Sequence, residues 1–157
     1  MPTIQLRVMT RELCHELYKH WTNDASIYMD MHLFQPYVYD EGAVNRYFDT
    51  KGQDASRRLF AIMLGDKVIG ELQLKQIDHD KKECSLSIHM QNDAVKGRGY
   101  GTQAERLAVK TAFDELGMAA VNADTIRKNT RSQHVLGKVG FRFVREDETF
   151  KYYRIER

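Results

Sequence analysis

Lys96-Gly97-Arg98-Gly99-Tyr100-Gly101-Thr102 sets glycines and cations side by side, between a segment of alternating polarity and one of helical period. Glycine lets a backbone approach phosphate oxygens closely and take up positive φ. A helix start leaves several N–H groups unpaired and carries partial positive charge. The stretch from Val95 to Thr102 therefore has the makings of a pyrophosphate cradle. It is not a Walker loop, because no Gly-Lys-Ser/Thr closes it. It is not a dinucleotide fingerprint either, since it follows an antiparallel meander rather than the first strand of a βαβ unit. A plain glycine-rich connection is the structural alternative.

Two further groups carry polar chemistry. Glu83 and His89 share the polar face of one strand, with Ser85 and Ser87, while Leu86, Ile88 and Met90 face the other way. A histidine titrates near neutrality, so His89 and Glu83 are candidate bases. Asn129-Thr130-Arg131-Ser132 opens a short helix where another strand ends. Caps explain Asn129, Thr130 and Gly140 equally well.

These residues need elements to hold them. Ile4–Val8 alternates as a strand, and Thr10 caps a helix expected to run to Trp21. Residues 22–39 are rich in aromatics and methionine, broken at Pro36. Asp40 caps a helix over Glu41–Thr50. Leu59–Leu64, Lys67–Ile77 and Glu83–Met90 form a meander, with Gly65-Asp66 as a tight turn and Gly70 marking a bulge. Ala104, Leu107, Ala108, Thr111, Ala112 and Leu116 recur at helical spacing, and Gly117 stops that helix. Ala119–Ile126, a helix over Thr130–Val139, and the strands Phe141–Arg145 and Phe150–Ile155 complete the chain. The order implies an α/β fold: one domain over residues 1–157, with a mixed, mostly antiparallel sheet and helices on both faces.

Composition limits the function classes. Lys plus Arg number 24 and Asp plus Glu 22, so no general field favours nucleic acid or an anionic membrane. Any anionic ligand needs a local site. Cys14 and Cys84 form no spaced motif, so neither a disulfide framework nor a metal site is expected, and a cytoplasmic location fits. The first residues lack the apolar stretch of a signal peptide, and no apolar run reaches the ~18 residues of a membrane span.

The glycine loop and the later Asn129-x-x-Ser132, about thirty residues apart, together resemble the GNAT acyltransferase superfamily. Lys96 stands where that family usually has Gln or Arg. Asn129-x-x-Ser132 with Lys138-Val139-Gly140-Phe141 looks like the branch of ribosomal-protein N-terminal acetyltransferases, and Trp21–Tyr39 loosely does too. The resemblance implies a sheet splayed between Glu83–Met90 and Val121–Ile126, with acetyl-CoA as cosubstrate in the splay. Backbone groups of Ile88, His89 and Met90 would pair with the pantetheine arm. Groups from Val95, Lys96, Gly97, Arg98, Gly99, Tyr100, Gly101 and Thr102 would hold the pyrophosphate, and Asn129 and Ser132 would lie near the thioester.

The implied reaction moves an acetyl or other short acyl group onto a primary amine in a ternary complex. The amine must first be neutral, which at pH 7 costs about 4–5 kcal/mol for a lysine-like group. Glu83 or His89 would take the proton, with Glu146 and Glu148 as weaker candidates. A backbone N–H near Met90 would steady the oxyanion. Leu136 stands where many members have an acidic tyrosine, so the branch pattern suggests Ser132 as acid, with Tyr152 and Tyr153 as alternatives. Trp21, Tyr28, Met29, Met31, Phe34, Tyr37 and Tyr39 lie where the family builds its acceptor wall. Asp24, Asp30, Asp40 and Glu41 could attract a cationic amine. The acceptor is a small amine or a protein N-terminus, and a homodimer fits the family. The rivals are a non-catalytic acyl-CoA-binding or sensing module and a protein binding NAD or ATP.

Overall fold

The computed structural model describes residues 3–24 and 34–157. Tyr28, Met29 and Met31 of the expected acceptor wall, and the acidic candidate Asp30, lie outside them. The elements in order are β1 (Ile4–Val8), α1 (Arg11–Lys19), α2 (Glu41–Gly52), β2 (Arg58–Leu64), β3 (Lys67–Asp78) and β4 (Glu83–Met90). After these come α3 (Tyr100–Asp114), β5 (Ala120–Ile126), α4 (Thr130–Val139), β6 (Arg142–Glu146) and β7 (Phe150–Glu156).

Local chemistry sets the helix starts. The Thr10 hydroxyl accepts the Leu13 N–H at 3.2 Å, and the Asp40 carboxylate accepts that of Ala43 at 2.9 Å. The helix expected to reach Trp21 stops at Lys19, with His20 as its C-cap.

The strands form one sheet in the order β1-β2-β3-β4-β5-β7-β6. Among the described residues only the β4–β5 pair is parallel, as the crossover through α3 requires. On one face, Cys14 and Leu17 of α1 and Val44 of α2 pack on Leu59, Ala61, Met63 and Val68. On the other, Ala104, Ala108 and Leu136 from α3 and α4 pack on Ile62, Leu72, Leu86 and Val121. Each fully buried leucine in these layers contributes about 2 kcal/mol of apolar transfer.

Two sequence expectations change in detail. Leu107 is exposed, while Glu105 is buried. The inward stripe of α3 runs through Tyr100, Ala104, Glu105, Ala108, Val109 and Ala112, and the helix lies across β1, β3, β4 and β5. The bulge falls beside Gly70. Ile62 pairs with Gly70 and Met63 with Val68, so Ile69 is the extra residue.

Residue pairing between β4 and β5 runs only from Glu83↔Ala120 to Ser85↔Asn122. Beyond that point the strands part. Each keeps a long antiparallel partner on its outer side, β3 for β4 and β7 for β5. Only the inner-side backbone groups are left to be satisfied by something else.

Candidate active site

The parting opens a cleft of about 1200 Å³. That exceeds the ~300–1,000 Å³ of most small-ligand pockets and suits a long ligand with room for a second reactant. β4 forms one wall through Leu86–Met90, and β5 the other through Ala123–Ile126. The glycine loop and the start of α4 close its ends.

Strand register decides which backbone groups look into the cleft. The Gln91 N–H donates to the Ile69 carbonyl at 2.8 Å, while Gly70 pairs with Met90. Gly70↔Met90 is therefore a non-hydrogen-bonded pair, and so is Leu72↔Ile88 two residues earlier. The N–H and C=O groups of Ile88 and Met90 consequently point away from β3, into the gap. Those of His89 point back into the β3 ladder, and only its side chain is available.

The loop has the conformation its glycines imply. Gly97 has φ 72° and Gly99 φ 83°. Gly99 is the N-cap of α3 with no side-chain cap bond, so the first-turn N–H groups of α3 lack a helical acceptor. Val95, Lys96, Gly97, Gly99, Gly101 and Thr102 line the cleft. The Arg98 side chain instead donates to the Ala94 carbonyl at 2.9 Å, and the Tyr100 ring is buried in the core. Tyr100 therefore offers a ligand its backbone groups, and Arg98 keeps its terminal guanidinium nitrogens in an exposed position. The Lys96 ammonium bonds Asp24 at 2.9 Å and Asp93 at 3.3 Å, so its charge is largely offset. Cations that the sequence reading passed over compensate: Lys128, Arg131 and Lys138 line the opposite rim.

Asn129 and Ser132 both line the cleft. The Asn129 side chain also caps α4, accepting the Ser132 N–H at 3.2 Å. The capping account and the site account hold together.

The two candidate bases separate. His89 lines the cleft. Burial holds its pKa below the usual histidine value, with Glu71 pulling the other way and Lys75 and Lys96 adding to the lowering. Its ring is open to the cleft yet surrounded by protein walls. Glu83 is not brought to the cleft. It sits at the closed end of the splay, where it accepts hydrogen bonds from Arg154 and, at 3.2 Å, from Asn122. The Arg154 hydrogen bond first and the Asn122 bond next hold its carboxyl below the usual range, which makes it a poor base. Tyr152 donates to Asp147 at 2.6 Å beneath Arg145, and Tyr153 packs edge-on to Phe143, so neither reaches the cleft. Glu146 faces Arg127 and Lys151. Leu136 is buried and offers no acid.

Sequence reasoning missed the residue behind His89. Glu71 stands directly across the β3–β4 ladder from it and is 3% exposed. Its carboxylate accepts hydroxyl bonds from Tyr18 at 2.7 Å and Tyr47 at 2.7 Å. Burial, then Glu71, hold both phenols well above ordinary tyrosine, so they stay donors. Trp21 lines the cleft and stacks on Tyr18, which stands 5.9 Å from Tyr37. The available signal was a carboxylate inside an apolar strand.

An acetyltransferase (GNAT) domain model matches residues 3–142. The probable N-acetyltransferase YjcK of Bacillus subtilis is 34% identical over 76 residues, 48% of this chain and 42% of that protein. The match thus spans less than half of that relative. Spermidine N(1)-acetyltransferase of Escherichia coli K12 is 25% identical over 143 residues, 88% of this chain and 73% of that protein. Among solved structures, spermidine N-acetyltransferase from Vibrio cholerae with CoA and spermine superposes with a TM-score of 0.80 at 17% identity, covering 98% of this chain and 95% of that one. The N-acetyltransferase PseH of Campylobacter jejuni gives 0.73 at 18% identity, with 99% of both chains covered. At such identities the two structures establish a shared fold. The expected kinship to ribosomal-protein N-terminal acetyltransferases gains no specific support from these relatives.

Proposed function

The chain belongs to the acetyltransferase (GNAT) domain family, and on that premise we propose that its cleft binds acetyl-CoA and delivers the acetyl group to a small cationic primary amine of polyamine type. Membership brings the reaction class, acyl-CoA-dependent N-acetyl transfer with acetyl-CoA as cosubstrate. The observation that carries the cleft assignment is the parting of β4 from β5 after Ser85↔Asn122, with the uncapped start of α3 beside it.

The first-turn N–H groups of α3 and the Lys128–Arg131–Lys138 rim take the phosphates. The outward backbone groups of Ile88 and Met90 pair with the amides of the pantetheine arm. The cationic amine first gives its ammonium proton to water, and the neutral amine then attacks the thioester carbon, forming a C–N bond. The Met90 N–H steadies the oxyanion. The attacking nitrogen is now a strongly acidic ammonium, and His89, neutral at pH 7, takes its proton. The C–S bond then breaks, and the thiolate takes the Ser132 hydroxyl proton, which the protonated His89 restores through water. Glu71 lies behind His89 and favours a cationic acceptor there.

The spermidine relatives support a polyamine acceptor over a protein N-terminus. A homodimer is supported by the edge strand β6, where Phe143 and Val144 are exposed. The unpaired, buried thiols of Cys14 and Cys84 suit a reducing cytoplasm. No helix among the described residues is long and apolar enough to cross a membrane.

Calorimetric titration of acetyl-CoA, with NAD and ATP as controls, tests the cleft. One-site micromolar binding is expected, lost in Gly99→Glu, which fills the cradle and strains a positive φ. Thiol release with spermidine and with a free-N-terminus peptide then tests the acceptor. Turnover at least tenfold faster with spermidine is expected; a peptide preference would overturn the polyamine assignment. Absence of acetyl-CoA binding by the folded protein would overturn the cleft assignment.

A further inference from the structure

Glu105 is an acid set among carbon. It lies in the second turn of α3, 1% exposed. Its Oε1 is, among the described residues, the one buried side-chain oxygen or nitrogen with no hydrogen bond. Native structures rarely leave such an atom unpaired, and each case calls for an explanation, a bound ligand or water among them. Glu105 lines the cleft, together with Gly101, Thr102, Leu86, Ile88 and Leu136. Burial alone pushes its carboxyl up to about 8, with no neighbouring charge contributing.

The position selects the part of the ligand that meets it. Phosphates belong at the first-turn N–H groups and the basic rim. Glu105 is about 6 Å further along the α3 axis than Gly101, past the polar end of the cradle. Leu86, Ile88 and Leu136, which line the same cleft, are apolar, and that suits the methylenes and methyl groups of a pantetheine arm. That arm also carries two amides and a hydroxyl, whose oxygens need donors once water is excluded. A neutral carboxyl has one O–H to give.

We propose that Glu105 is a binding residue for the pantetheine arm of acetyl-CoA, donating one hydrogen bond as a neutral acid to an amide carbonyl or hydroxyl oxygen of the arm. This rests on the reading that acetyl-CoA occupies the β4–β5 cleft.

Two variants and two ligands test it by calorimetry at pH 7. Glu105→Gln keeps a donor of the same shape, and Glu105→Leu keeps the volume and removes the donor. Acetyl-CoA carries the arm; adenosine 3′,5′-bisphosphate carries nucleotide phosphates without it. Glu105→Leu is expected to weaken acetyl-CoA about five- to tenfold, the worth of one neutral hydrogen bond. The same variant should bind adenosine 3′,5′-bisphosphate within about twofold of the unsubstituted protein, and Glu105→Gln should hold acetyl-CoA within a similar margin. Replacing an unpaired buried carboxyl by leucine should raise the melting temperature, so a misfolded variant does not imitate the result. Acetyl-CoA binding undiminished in Glu105→Leu would overturn the proposal. Equal weakening of both ligands would overturn it too, since that would mean a structural role. If Gly99→Glu binds acetyl-CoA normally, the cleft reading itself falls, and this proposal with it.

Discussion

Glu83 and His89 sit six residues apart on one strand, yet their surroundings give them different chemistry. Arg154 and Asn122 hold Glu83 ionised and occupied, tying β4 to β5 and β7 where the splay closes. At the open end the protein walls around the exposed His89 lower its pKa from the ordinary histidine value. Glu83→Gln is therefore expected to keep kcat within about threefold while lowering stability by at most ~1 kcal/mol, because the Arg154 pair is partly exposed. His89→Ala should lower kcat about 10²-fold, the usual reach of a general base, with acetyl-CoA affinity nearly unchanged. Steady-state kinetics with paired calorimetry separates the two. The sign on pH follows from the lowered pKa. His89 loses its capacity as a base only below the ordinary histidine value, so the acid limb it causes lies under pH 6.5 and is absent in His89→Ala.

At the scale of elements, the geometry of β4 depends on its neighbour. A Cβ at Gly70 would lie 2.7 Å from the His89 carbonyl oxygen and 3.1 Å from Ile62 Cδ1. The first contact is backbone, which cannot rotate away. Gly70→Ala must push β3 and β4 apart at the pair that aims Met90 into the cleft. The expected cost is about 1–3 kcal/mol of stability, with turnover reduced more than a surface substitution of equal stability cost would cause. Chemical denaturation and kcat on the same preparation check this. Gln91, buried with its amide donating to the Leu17 carbonyl at 2.8 Å, ties the end of β4 to α1 in the same region.

For the whole molecule, Glu105 links the cleft to global stability. Its folded pKa of about 8 lies above the unfolded 4.5. Below pH 4.5 both states are protonated and the shift has no effect. As pH rises toward 8, the unfolded state releases a proton that the folded state keeps, so stability falls, by a few kcal/mol at most. Glu83 and Asp147, whose carboxyls are held low, titrate below this window. His89 contributes the opposite slope up to its ordinary value. The difference between Glu105→Gln and the unsubstituted protein isolates the term. Urea unfolding from pH 5 to 8 should show the variant gaining relative stability with each pH step; a constant difference would contradict a buried neutral acid.

The sequence by itself determined what is local. Thr10 and Asp40 cap helices because a side-chain oxygen reaches an N–H three residues on, and Gly99 takes positive φ because it has no Cβ. Strand alternation put Glu83 and His89 on one face and Ile88 and Met90 on the other, and the glycine loop stood out by composition alone. Tertiary structure decided what depends on partners distant in the chain. Arg154, 71 residues away, binds Glu83 and ties β4 to β7. Glu71 came to stand across from His89 through register, not spacing. Helical period pointed Leu107 inward, but packing turned Glu105 there instead, because an apolar stripe fixes which side of a helix meets a sheet and not which side meets a cleft.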